Sequence, residues 1–101
     1  MNTYIANAFS ISMLGDIDQA SIQIQKINKN DFYKTIKTNN AVSCVGHKDT
    51  AQVLGVDFNR TNINLKQGDV LLVAQLNGGR LPEGATTLPD GFSFTYYKIQ
   101  I

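Results

Sequence analysis

"NINLKQGDVLLVAQLN", residues 62–77, is the stretch on which the fold turns. Its second half is apolar on both sides of a two-residue period: Val70, Leu72 and Ala74 share one face, Leu71 and Val73 the other. A strand with two apolar faces needs cover above and below, which places it at the centre of a sheet. In the first half Ile63 and Leu65 alternate with polar neighbours, and Gln67-Gly68 reads as a turn. The stretch therefore predicts a hairpin in which "DVLLVAQL" runs back along "NINL".

Downstream, "NGGRLPEGATTLPDG" (77–91) carries both prolines and four of the eight glycines, and reads as a loop. Its length of ~15 residues exceeds what a connection requires, and loops of that size in compact domains are usually functional or mobile. In the closing "FSFTYYKIQI", Phe92, Phe94 and Tyr96 lie on one phase, and Tyr97, Ile99 and Ile101 on the other. That pattern predicts either a bulge or burial on both faces.

Upstream, "TYIANAF" (3–9) reads as a first strand, and Ser10 as the N-cap of a short turn ending near Gly15. "SIQIQKI" (21–27) alternates as a half-buried strand, and Asn30 or Asp31 caps a helix in which Phe32 and Ile36 share a face. "AVSCVG" (41–46) is too short for periodicity to separate strand from helix; its residues lean towards extended structure. "KDTAQVLG" predicts a helix opening at Asp49 or Thr50 and closed by Gly55. The sum is one α/β (α+β) domain over residues 1–101, with a mixed sheet of about five strands and two to three short helices.

Bulk composition narrows the function. The hydrophobic fraction of 43% and charged fraction of 17% describe a soluble globule. A net charge of +1 gives no basic track for long nucleic acid, but permits a small, multiply charged ligand in one pocket. A single cysteine excludes an internal disulfide and suits a reducing cytoplasm. No stretch approaches the ~20 apolar residues that span a bilayer, and the first residues do not read as a signal peptide.

His47 is the sole histidine and follows Gly46 at the start of the "KDTAQVLG" helix. A helix start attracts anions, and Gly46 permits a close backbone approach. A lone histidine after an apolar run is otherwise a structural residue. Cys44-x-x-His47 supplies only two metal ligands where zinc takes three or four, so no metal is expected. Cys44, set within an apolar run, reads as inert. Glu83 is the only glutamate, and Arg60 and Arg80 are the only arginines. Guanidinium forks suit phosphate, so their sparing use marks Arg60 and Arg80 as candidates. Against this, Arg80 and Glu83 read equally as a surface ion pair worth under ~1 kcal/mol.

"IANAFSISML", "VGHKDTA", "FNRTNINL" and "RLPEGATTLP" together resemble the viral type III anti-CRISPR ring nucleases, in the same order and over nearly the whole chain. The resemblance implies a homodimer that degrades cyclic tetra-adenylate, the second messenger of type III CRISPR complexes, without metal or cofactor. It implies in-line attack by the ligand's 2′-hydroxyl, giving linear di-adenylate with a 2′,3′-cyclic phosphate. His47 then falls on the catalytic acid, and Arg80 and Glu83 on the arginine and glutamate of the lid region. Asn7, Ser10, Thr50, Arg60 and Gln75 fall on ligand-binding positions, Gln75 across a spacing shifted by Gly78-Gly79. Family members often carry a helix after the loop; "TTLPDGFSF" instead turns almost directly into the last strand. The alternative is a homodimer that binds the cyclic nucleotide as a sponge, or sits on DNA, without cutting. The implied compartment is the host cytoplasm.

Overall fold

The computed structural model describes residues 2–101. Strand β1 (Thr3–Ala6) leads through a 3-10 turn (Ile11–Leu14) to β2 (Gln23–Ile27). Then follow helix α1 (Lys29–Asn39), a two-residue β3 (Val42–Ser43), helix α2 (Lys48–Leu54), β4 (Val70–Asn77) and β5 (Ser93–Gln100). The five strands form one mixed sheet in the order β2-β5-β4-β1-β3. β1 runs parallel to both β3 and β4, and β5 runs antiparallel to β4 and β2.

β4 is the central strand, as its two apolar faces require. Val70, Leu72 and Ala74 join Ile5, Phe32, Ala51 and Leu54 in a core beneath the two helices. Leu71 and Val73 join Ala6, Leu65 and Ile99 on the opposite face. Leu71 and Leu72 are both fully buried, so truncating either to alanine should cost ~2–5 kcal/mol.

Its hairpin partner is not the one read from the sequence. Residues 62–65 form no strand; they cross the second face as irregular chain, with Ile63 and Leu65 packed down on it. The hairpin is β4–β5, in unbroken register from Asn77↔Ser93 to Val70↔Gln100. The apolar alternation of Ile63 and Leu65 reports burial on a sheet face rather than pairing within a sheet. The same register shows that β5 has no bulge: Phe94 and Tyr96 serve the helix-side core, and Tyr97 and Ile99 the other.

Asp69, unremarked in the sequence, anchors this arrangement. Its carboxylate is 3% exposed and accepts from the Asn2 and Lys66 backbone N–H groups, both at 2.9 Å. Its carbonyl accepts from the Ile101 N–H at 3.1 Å. One side chain thus ties the start of β4 to the start of β1 and the turn before it.

Two local expectations are corrected. α1 is capped by Asn28, whose side chain accepts from the Asp31 N–H at 2.8 Å, so the helix starts earlier than an Asn30 or Asp31 cap allows. α2 forms where expected, with His47 at its cap, Asp49 in its first turn and Gly55, φ +75°, closing it. β2 is an edge strand, and Ile24 stands 59% exposed instead of half-buried. Extended structure at 41–46 is observed as β3, continued by a parallel bridge between Val45 and Phe58. No helix among the described residues is long and apolar enough to cross a membrane.

Candidate functional site

β1 and β3 are neighbouring parallel strands, and the chain leaves their carboxyl ends towards opposite faces. After Ala6 it passes to the 3-10 turn, whose Met13 packs on the second core; after Ser43 it passes to α2, whose Ala51 and Leu54 pack on the first. Divergence of this kind opens a crevice at the strand ends, where open sheets with parallel strands bind ligands. A depression of about 370 Å³ lies there, lined by Asn7, His47, Arg60, Thr61 and Asn62. A second, of about 530 Å³, continues from Asn7, Thr61 and Asn62 to Ser12 and Asn64.

Segment 57–60 is stapled to β3, which brings Arg60 to His47. Ser43 Oγ donates to the Asp57 carbonyl at 2.5 Å, and Asn59 Nδ2 to the Ser43 carbonyl at 3.0 Å. The Asn59 N–H donates to the Val45 carbonyl at 3.0 Å, and Arg60 Nε to the Gly46 carbonyl at 3.2 Å. A Cβ on Gly46 would meet Arg60 Cγ at 3.5 Å, so the group lying against this glycine is the arginine itself.

His47 is exposed, with φ −114° and ψ 117°, and its imidazole makes no capping hydrogen bond. Both ring nitrogens stay available to a ligand. Cys44 lies at the crevice floor, 8% exposed. Burial raises its thiol pKa above 9.0, which disfavours thiolate and suits an inert structural role. Among the described residues no Asp or Glu lines either depression, whereas Asn7, His47, Arg60, Thr61 and Asn62 all carry donors. Such a lining suits an anionic ligand.

The expected site residues divide. Asn7, His47 and Arg60 meet in the crevice. Ser10 is exposed at its rim, its Oγ 2.9 Å from that of Ser12. Thr50 is buried in α2, 8% exposed, outside the crevice lining. Gln75 lines a separate depression of about 330 Å³, beside Phe9, Ile24 and Tyr97. Arg80 and Glu83 are exposed on the β4–β5 loop, outside the crevice lining. The loop does reach α2: the Gly84 N–H donates to Asp49 Oδ1 at 3.2 Å. Among the described residues, no three His, Cys, Asp or Glu side chains are grouped to hold a metal ion.

Thr61, Asn62 and Ser12 were missed in the sequence reading. For Thr61 and Asn62 the signal is the unbroken polar run Asn59 to Asn62 ahead of Ile63; Ser12 carries none.

Fold and crevice together define a small α+β domain with a polar, donor-lined crevice at the carboxyl ends of its parallel strands. The chain belongs to the STIV B116-like family, whose profile matches residues 3–95. Its structure is similar to that of B116 of Sulfolobus turreted icosahedral virus, with a TM-score of 0.81 and 23% identity over 100% of both chains. No curated protein matches the chain.

Proposed function

We propose that this protein is a virus-derived, metal-independent ring nuclease that cleaves cyclic tetra-adenylate and so counteracts type III CRISPR signalling. The observation that carries this reading is the meeting of Asn7, His47 and Arg60, far apart in sequence, in one crevice without carboxylates. Three positions named by resemblance to ring nucleases thus converge in a site suited to anions. Membership of a family named for a viral protein supports the viral origin.

In this reading Arg60 and Asn7 hold the scissile phosphate so that the adjacent 2′-hydroxyl lies in line with the P–O5′ bond. The 2′-oxygen bonds to phosphorus and the P–O5′ bond breaks. His47 as imidazolium passes its proton to the departing 5′-oxygen, and the 2′-hydroxyl proton leaves to solvent or to Glu83. Two such cuts yield two linear di-adenylates, each with a 2′,3′-cyclic phosphate. Alignment supplies much of the acceleration, and a positioned acid adds ~10²–10⁴-fold. Arg80, Glu83, Ser10, Thr50 and Gln75 complete the set implied by the resemblance.

A ring of four nucleotides exceeds the 370 Å³ depression of one chain, which supports a homodimer sharing the ligand. The uncovered half of the second sheet face supplies a surface for it. Ile24 is exposed and Phe9 and Tyr97 are partly exposed there, and Ala8 lines both this face and the larger depression of the crevice. The reaction would take place in the host cytoplasm.

The test is incubation with cyclic tetra-adenylate and mass analysis of the products. Conversion to di-adenylate with a cyclic phosphate end is the expected result. An intact ring, tightly bound, would make the protein a sponge; absence of both binding and cleavage would overturn the reading altogether.

A further inference from the structure

The β4–β5 loop is closed at its neck. Gly78 has φ +113°, and a Cβ there would stand 2.8 Å from the Gly91 carbonyl oxygen, so the two ends of the loop pack backbone to backbone. The tip is folded on itself by the Ala85 N–H, which donates to the Pro82 carbonyl at 3.1 Å. Gly84, with φ +76°, turns its N–H outward to Asp49 Oδ1 at 3.2 Å. Asp49 sits in the first turn of α2, two positions after His47.

We propose that Asp49 is a positioning residue, a latch that holds the Arg80–Glu83 tip beside the helix carrying His47. A loop with a closed neck moves as a unit, and one exposed hydrogen bond to its tip sets how often that unit lifts away. A carboxylate close to an anion site opposes the ligand's phosphates, so the hydrogen-bond acceptor, not the charge, is what the site gains from Asp49. The latch stands on the geometry alone; its consequence for turnover rests on the ring-nuclease reading.

The experiment separates the two. Trypsin cleavage at Arg80–Leu81 is followed by mass spectrometry in the full-length wild type, Asp49→Ala and Asp49→Asn, beside steady-state turnover of cyclic tetra-adenylate. Asparagine keeps the Oδ1 acceptor and drops the charge. Asp49→Ala should be cut at Arg80 about 3–10-fold faster, the effect of losing one such hydrogen bond, with a raised KM. Asp49→Asn should stay near wild type in both. Equal cleavage in all three proteins would overturn the latch. So would acceleration at every lysine in Asp49→Ala, which would report general unfolding, or an Asp49→Asn variant that is cut as fast as alanine. Wild type that turns over no ligand would sink the ring-nuclease reading and leave the trypsin comparison decisive for the latch.

Discussion

His47 and Arg60 reach one another because a short parallel strand and the segment bridged to it at Val45↔Phe58 end side by side. Their chemistry then separates cleanly by substitution. Arg60 offers a charged fork, so Arg60→Ala should weaken ligand binding about 10–100-fold, the scale of one charge-assisted hydrogen bond. Lysine should restore little, since a point charge does not replace the fork; titration of ligand into each variant measures this. Asp69 belongs to stability rather than chemistry. Asp69→Ala leaves the Asn2 and Lys66 N–H groups without their acceptor and should cost ~1–3 kcal/mol, read from urea unfolding.

At the scale of elements, β4 was legible because two apolar faces admit only a central position, and α2 because Gly55 and the apolar pair Val53 and Leu54 bound it. The partner of β4 was not. Alternation at Ile63 and Leu65 is the same whether a segment pairs within a sheet or lies across its face. The α1 cap was misplaced because Asn28, Asn30 and Asp31 are all competent cap residues within one turn, and only the backbone selects among them. Asn28→Ala should therefore cost ~1 kcal/mol, whereas Asn30→Ala should cost little, a difference visible in thermal unfolding. In the crevice, His47 and Arg60 stood out by rarity, while Thr61 and Asn62 did not, because common polar residues acquire a role only when the fold turns them towards a ligand. Gln75 shows the converse: carried over by motif, it stands on the second sheet face, outside the crevice lining.

The whole molecule combines a sheet covered by helices on one face and half-covered on the other with a donor-lined crevice at its edge. Burial raises the hydroxyl pKa of Tyr33, aided by the neighbouring Tyr96, and of Tyr96 itself, and the thiol pKa of Cys44. All three shift upward from ordinary values of 10.0 and 9.0. The unfolded chain therefore loses these protons first, and the contribution of these three groups to stability should be level below about pH 9 and fall as pH rises beyond it; urea midpoints from pH 8 upward check the sign. In the proposed reaction His47 is the acid of a metal-free ring opening. Cleavage of cyclic tetra-adenylate in EDTA, with wild type and His47→Ala side by side, isolates that role. The expected result is conversion to cyclic-phosphate di-adenylate by wild type and a loss of at least ~100-fold in the variant, with binding retained. Equal turnover by the two proteins, or none by the wild type, would contradict it.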